Sequence, residues 1–383
     1  MKIEAKYDII IAGGGMSGLS LAWYLAKGGY DGKVLIVDST FAPINEKTWC
    51  FWTKEPPPFK QIIYRTWNKA FFSALDLNAF LYLKNYSYHC IRSCDFKELI
   101  LTELRQHSNF DLLEENILDI TSNSSKAVLL TKNSDSYLAN YIFQSVFKPN
   151  WSKPKYPLIQ HFLGFEIKTD HDIFDPATFT IMDFDSSFKK GLAFMYVLPF
   201  SHNDALLEFT VFSESVLDKE VYEQKIESYM MDKFGLHNSE YSIKRTEYGE
   251  IPMQDLDYQP TYEKNIINLG TMGGLTKPST GYTFLRTQKY TKNLAHSIIS
   301  GQEPILPTRS KFRYRYYDQL LLHILSNSTD ESLRVFHDLF KNNGFDEILS
   351  FLSEESSFTQ DLKIMSSVPS LPFFKAIGNN LIK

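Results

Sequence analysis

Residues 7–38, YDIIIAGGGMSGLSLAWYLAKGGYDGKVLIVD, leave little freedom about how this chain begins to fold. Tyr7–Ala12 is a short apolar run, the pattern of a buried parallel strand. Gly13-x-Gly15-x-x-Gly18 follows at once. Leu19, Ala22, Trp23 and Leu25–Ala26 then share one helical face, and Gly28-Gly29 ends the helix. Lys33–Val37 is a second strand, followed by Asp38. Gly13 permits a tight turn, Gly15 lets the backbone approach a pyrophosphate, and Gly18 lets helix and strand pack closely. The helix N-terminus, with Ser17 in its first turn, offers unpaired N–H groups and partial positive charge to phosphates. Asp38 would accept hydrogen bonds from a ribose. Strand, glycines, helix, strand and acid in register point to a bound dinucleotide. NAD and FAD are not separated by this unit. Its place at the extreme amino terminus, ahead of a long chain without a second such unit, favours FAD by architectural analogy.

The 383 residues exceed one small core, so two intimately joined domains are expected. A hydrophobic share of 43% with 22% charged residues predicts a folded globular chain. The formal charge of -5 argues against a nucleic-acid partner. Cys50, Cys90 and Cys94 make no disulfide framework and fit a reducing compartment. Cys90 and Cys94, with only His89 beside them, make a poor zinc set, and no metal is expected. The sequence opens straight into a strand, so no signal peptide is expected. No apolar run reaches ~18 residues, so no spanning helix is expected either.

Further along, Ser93–His107 reads as an amphipathic helix with Ser93 or Asp95 as cap. Strands are expected at Asp111–Ile120, Lys126–Thr131, Tyr137–Phe143, Gln160–Ile167, Phe179–Asp183, Ala193–Leu198, Leu206–Phe212 and Tyr241–Ile251, with a helix at Val216–Phe234. Ile266–Gly270 is another apolar strand. It leads into GTMGGLTKPSTGYTF, a glycine-rich loop from which a helix is expected to start near Ser279–Gly281. Gly270, Gly273, Gly274, Thr280 and Gly281 are the cofactor candidates there, although an ordinary strand–helix connection would use the same glycines. From residue 305 the chain reads as helical and aromatic. The expected architecture is α/β. A Rossmann-type FAD-binding domain, like those of glutathione reductase and the hydroxylases, takes residues 1–50, 93–150 and 262–300. A β-sheet substrate domain takes 51–92 and 151–261, and a helical part takes 301–383.

These segments together resemble the bacterial-type lycopene β-cyclases of carotenoid synthesis. The resemblance rests on TWCFW (Thr48–Trp52), QHFLGFEI (Gln160–Ile167), DPATFTIMDF (Asp175–Phe184), YVLPFSHNDALLEFTVFSE (Tyr196–Glu214), GEIPM (Gly249–Met253) and GGLTKPSTGYTF (Gly273–Phe284). It implies a reaction without net redox. A terminal alkene of lycopene is protonated, the neighbouring double bond attacks the resulting cation, a six-membered ring closes, and a proton is lost. It implies reduced FAD, with NAD(P)H as an indirect reductant. A negative charge ~4 Å from the cation gives about 4 kcal/mol at an effective dielectric of ~20, roughly a thousandfold in rate. Lycopene and related acyclic carotenes are the implied substrates. A place on the inner face of the cell membrane is implied, with contacts to other carotenoid enzymes.

Glu208 in LLEFT is the residue the resemblance makes catalytic. Alternation would put Leu207 and Phe209 on the strand face opposite it. Plant and some bacterial relatives carry a second acid immediately after this glutamate, and here that residue is Phe209, which puts a pair of consecutive carboxylates in doubt. Asp183 and Glu250 are further candidates for acid or base, and each would equally serve as a strand-end polar residue. Trp49, Phe51, Trp52 and Phe209 are the substrate-pocket candidates. Their rings can line a polyene site or simply fill a core. Phe312, Tyr316 and Leu320–Leu322 are expected to touch the membrane. The rival readings are a redox FAD-dependent monooxygenase or isoprenoid reductase, and a non-catalytic flavin-binding membrane protein. The second glycine loop lacks the Gly-Asp motif usual in hydroxylases of this fold.

Overall fold

The computed structural model describes residues 3–123, 125–373 and 376. In chain order, β1 (Ile3–Ala12), α1 (Met16–Lys27), β2 (Val34–Asp38) and β3 (Thr48–Thr53) come first. A single 3-10 turn then precedes β4 (Arg65–Trp67), β5 (Lys69–Ala74), β6 (Leu77–Tyr82) and β7 (Ser87–Arg92). Helix α2 (Ser93–Leu104) leads to β8 (Phe110–Glu114), β9 (Ile117–Ser122), β10 (Ala127–Thr131) and β11 (Ser136–Gln144). Next come β12 (Leu158–Thr169), β13 (Phe179–Phe184), β14 (Leu192–Ser201), β15 (Asp204–Ser213), α3 (Lys219–Phe234) and β16 (Tyr241–Met253). Short strands β17 (Thr261–Glu263) and β18 (Ile266–Asn268) precede α4 (Phe284–Ile299), α5 (Phe312–Asn327), α6 (Thr329–Asn342), α7 (Phe345–Leu352) and α8 (Phe358–Ser366).

The βαβ unit sets the first layer. Strand β1 pairs in parallel with β2 on one side and β11 on the other, and β8 and β18 extend the parallel sheet outward. Because residues 9–12 of β1 and 34–37 of β2 are covered on both faces, these stretches read as unbroken apolar runs rather than alternating ones. Leu19, Leu25, Phe96, Ile100 and Leu294 of α1, α2 and α4 cover one face. Ile120 and Leu129 of β9 and β10 cover the other. This is the Rossmann-type arrangement expected.

The second sheet has seven strands in the order β16-β12-β15-β14-β13-β5-β6, antiparallel except where β13 meets β5. Helix α3 closes one face through Tyr222, Ile226 and Met230. Leu322, Phe336, Phe340 and Leu349 of α5, α6 and α7 close the other. A strand buried on both faces sends alternate side chains to different cores. In β15, Leu207, Phe209 and Val211 face α3, while Leu206 and Phe212 face the carboxy-terminal helices. A three-stranded sheet, β3-β7-β4, bridges the two larger ones.

Several sequence expectations are corrected. Asp111–Ile120 is two strands, because β8 runs parallel to β2 whereas β9 turns away to pair with β10. Ser93 does not cap α2. Its hydroxyl accepts the backbone N–H groups of Glu46 and Lys47 at 2.9 and 3.0 Å. The helix after the second glycine loop starts at Phe284, not near Ser279–Gly281, since Gly281 has φ +72° and its N–H closes a turn on Lys277. Leu320 and Leu322 are fully buried, so of the expected membrane-contact residues only Phe312 is strongly exposed, at 80%. No described helix is long and apolar enough to cross a membrane.

Candidate active site

The two glycine loops lie against each other at the carboxyl ends of the parallel strands. Gly13 has φ +109°, a conformation open to glycine at no cost. A Cβ on Gly18 would stand 2.0 Å from the Gly13 carbonyl oxygen, so close packing forces glycine here. A Cβ on Gly15 would meet no atom within 4 Å. That open space adjoins the N-terminus of α1, where Gly15 provides no side-chain cap. The Asp38 carboxylate accepts the Gly14 N–H at 2.5 Å, fixing the loop against the end of β2. Gly270 abuts the same turn, for its Cβ would meet Ser17 Oγ at 2.9 Å. Gly273 and Gly274 shape their own loop instead. The first lies against the Asn268 carbonyl and the second, at φ +76°, against Tyr258. Thr280 and Gly281 line the cavity described next.

That cavity, of about 460 Å³, lies between the seven-stranded sheet and the carboxy-terminal helices. Its wall includes Met16 and Thr271 of the glycine loops, Trp49 and Trp52 of β3, Glu208 of β15, and apolar residues of α6 to α8 such as Leu339, Ile348 and Ile364. A dinucleotide fits the groups present. The cradle at Gly15 is open, the N–H groups of α1 face it, and the Gln160 amide oxygen beside Gly281 is buried without a protein partner. Among the described residues no His, Cys, Asp and Glu cluster suited to a metal occurs.

Glu208 is 8% exposed and lines the cavity. In register it pairs with Tyr196 of β14 on one side and Gly164 of β12 on the other. Burial pushes its carboxyl well above the usual carboxylate range, and the charge of Glu247 pushes the same way, against Arg245 and Lys47. A Cβ on residue 164 would stand 2.5 Å from Glu208 Cγ, so the glycine in QHFLGFEI makes room for this side chain. Gly164 pairs on its other side with Glu247 of β16. Glu247 is 2% exposed. It accepts the Thr48 N–H at 2.7 Å, the Thr48 hydroxyl at 2.9 Å and an Arg245 N–H at 2.7 Å.

Phenols gather at the same end. Tyr88 Oη lies 2.8 Å from Tyr196 Oη and 3.1 Å from Tyr282 Oη. Burial raises all three above the ordinary phenol value, so they are neutral hydrogen-bonding groups at any ordinary pH. Trp52 stands edge-on to Tyr282, with ring centroids 4.3 Å apart, and its indole N–H donates to Ser353 Oγ at 2.7 Å.

Not all of the remaining sequence candidates reach the cavity. Trp49 and Trp52 reach the cavity. Phe51 does not. It is stacked on Phe284, centroids 4.7 Å apart, inside the core of the first domain. Phe209 points to the other face of β15, against Phe188 and Tyr222. Asp183 also lies away from the cavity, where it accepts from Tyr229 Oη at 2.9 Å and pairs with Lys233 at 3.0 Å. Glu250 also lines the cavity, but as an exposed residue whose carboxylate accepts from Tyr248 Oη at 2.7 Å. Glu247, Arg245, Gly164 and the three tyrosines were not among the sequence candidates. The spacing of Glu247 and Gly249 by two residues put them on one strand face, but nothing local says which face meets Glu208.

The family model described as "Lycopene cyclase protein" matches residues 8–377. No curated protein matches the chain. Solved structures share its fold at low identity. A geranylgeranyl bacteriochlorophyll reductase-like protein from Thermoplasma acidophilum superposes with a TM-score of 0.64 at 14% identity, covering 97% of this chain and 98% of that one. The flavin-dependent brominase Bmp2 gives 0.62 at 14% identity, covering 98% and 99%. A mutant of halogenase PltM in complex with FAD gives 0.60 at 15% identity, covering 94% and 85%.

Proposed function

The chain belongs to the lycopene cyclase family, and from that premise we propose that it closes the acyclic end groups of lycopene into β rings, giving γ- and β-carotene without net redox change. The supporting observation is a buried, raised-pKa carboxyl group, Glu208, lining a largely apolar cavity that also reaches both glycine loops. FAD is the cofactor that suits those loops, held by the 13–18 turn, Ser17, Asp38, Gly270, Thr280 and Gly281. When bound and reduced it supplies negative charge near the cavity, and NAD(P)H is its indirect reductant.

The chain's own residues carry the proton chemistry. Glu208 Oε–H gives its proton to the CH carbon of the terminal double bond, leaving a tertiary cation on the dimethyl-substituted carbon. The neighbouring double bond attacks that cation, a carbon–carbon bond closes the ring, and the carboxylate so formed can take back the proton that the ring carbon loses. Desolvation keeps the acid protonated until an alkene is in place. The faces of Trp49 and Trp52 stabilise a passing cation by ~0.5–2 kcal/mol each. The C-terminal helices cover the cavity with their apolar faces and exclude water that would trap it.

The substrate is a bilayer hydrocarbon, so the protein is assigned to the membrane surface. Exposed Phe312, Phe358 and Leu362 support that, on α5 and α8 segments joined by the Arg313–Asp361 pair at 3.4 Å. The test is pigment separation from a lycopene-accumulating bacterium expressing the chain. Wild type is expected to give cyclic carotenes. Glu208→Gln is expected to give none while the purified variant retains FAD. Near-normal cyclic product from the variant removes Glu208 from the mechanism, and substrate-dependent NADPH consumption in its place supports a redox enzyme.

A further inference from the structure

An acid that follows Glu208 directly in sequence cannot share its cavity, because successive residues of a strand point to opposite faces. A second acid on the same face must come from a neighbouring strand. Tyr196, Glu208, Gly164 and Glu247 form one row across β14, β15, β12 and β16, each directly paired with the next. Directly paired residues project to the same face. Glu208 and Glu247 are thus separated by two strand spacings, roughly 10 Å between backbones. The residue between them has no side chain. Glu208 leans over that gap, since a Cβ on Gly164 would lie 2.5 Å from its Cγ.

The two carboxyl groups are held differently. Glu247 is fixed by Arg245 and by both donors of Thr48. Arg245 is itself shared with Glu166 at 3.0 Å and donates to Thr48 Oγ1 at 2.9 Å. Glu208 has no hydrogen-bond or ion-pair partner among the described residues. The other titratable groups that face it are Lys47, Cys50, Tyr196 and Tyr282. Lys47 is turned to the Tyr248 carbonyl. Cys50 and the two tyrosines are raised by burial and stay neutral. The negative charge that bears on Glu208 is therefore that of Glu247, and the Arg245 cation beside it is already ion-paired.

We propose that Glu247, anchored by Arg245 and Thr48, is the positioning residue that keeps the proton on Glu208 from across Gly164. The inference rests on the cyclase reading for its purpose, but the pairing of the two acids is tested separately. A pair whose surroundings drive the two members apart gives one acid and one fixed anion. Here the division falls between strands, which is how Phe209 can replace an acid without loss of the pair.

The experiment is an infrared pH titration of the FAD-loaded full chain. The protonated-carboxyl band present in wild type and missing from Glu208→Gln reports Glu208. In Glu247→Gln, which keeps the size and acceptor of the side chain, its midpoint is expected to fall by about one pH unit, as loss of a charge ~10 Å away does at an effective dielectric of ~20. Glu247→Asp is expected to restore most of the shift, and the alkaline limb of cyclisation in liposomes is expected to move with the band. An unmoved midpoint in FAD-bound Glu247→Gln overturns the proposal. So does the absence of a Glu208 band in wild type at neutral pH, a result that needs no Glu247 variant to fold. If the band shifts as expected but wild type makes no cyclic carotene, the pairing stands and the cyclase reading fails.

Discussion

At the scale of single residues, the site depends on which strand face each side chain takes. Period-two alternation was enough to separate Glu208 from Leu207 and Phe209, and the structure keeps that separation. Alternation alone also shows why Phe209 does not belong in the cavity. What it cannot supply is register. Gly164 looks like an unneeded glycine inside a strand until it is seen to oppose both Glu208 and Glu247. Gly164→Ala puts a methyl group 2.5 Å from Glu208 Cγ and 3.3 Å from the Leu207 carbonyl oxygen. Overpacking of this kind costs about 1–3 kcal/mol, and a displacement of ~1 Å at a reacting group costs up to ~100-fold in rate. Gly164→Ala is therefore expected to retain FAD, melt slightly lower, and lose between ten- and a hundredfold in kcat. Denaturation and initial rates on liposomal lycopene check both parts. A variant with wild-type kcat would show that Glu208 has room to spare.

At the scale of elements, local rules were most informative where the chain is covered on both faces and punctuated by glycine. The unit β1-α1-β2 is legible because each glycine answers to a neighbour a few residues away. The second glycine loop is less legible in the sequence. Its helix begins later because Lys277 is drawn to Asp318 of α5, at 2.9 Å, and Ser279 donates to the same carboxylate at 2.6 Å. Those partners lie about forty residues downstream, beyond any local pattern. The two key glycines of the first loop differ in a way that can be measured. Alanine at Gly18 collides with the Gly13 carbonyl, whereas alanine at Gly15 meets only open space. Gly15 has φ -77°, which alanine adopts freely. Gly18→Ala is expected to destabilise the apoprotein. Gly15→Ala is expected to leave the apoprotein's melting temperature unchanged and weaken FAD, because the methyl group enters the space assigned to phosphate. Thermal melts without cofactor, and flavin titration, separate the two. Equal FAD affinity in Gly15→Ala and wild type would remove the phosphate from that space.

At the scale of the whole molecule, the cofactor loop and the helical part are one body. Lys277 and Arg286 meet Glu354 at 3.1 and 3.0 Å, next to the Lys277–Asp318 pair. A buried acid at the centre of this assembly should leave a mark on global stability. Burial raises Glu208 above its unfolded value, so the folded chain binds that proton more tightly than the unfolded one. Its favourable contribution is complete below about pH 4.5, the ordinary glutamate range, and is lost as pH rises toward the folded value. Glutamine has no proton to lose. Glu208→Gln is therefore expected to match wild type near pH 4 and to become progressively more stable than it as pH rises, by at most about 1.4 kcal/mol per pH unit. Buried histidines act in the opposite sense. His89 and His161 are lowered by burial to about 4, so below about 6.5 the unfolded chain takes up protons that the folded chain refuses, and stability falls with acid. Asp318, raised by burial, sides with Glu208, and Glu354, lowered despite burial by Lys277 and Arg286, sides with the histidines. The Glu208 and histidine contributions partly cancel in wild type between about pH 4.5 and 6.5, whereas that of Glu354 is lost only below about 4.5. Removing Glu208 unmasks the histidines, so the melting temperature of the apo Glu208→Gln variant is expected to drop more steeply with acid than that of wild type. Parallel curves for the two proteins would mean that Glu208 ionises in the fold as it does in water, and a carboxyl group of that kind could not hold a proton for an alkene.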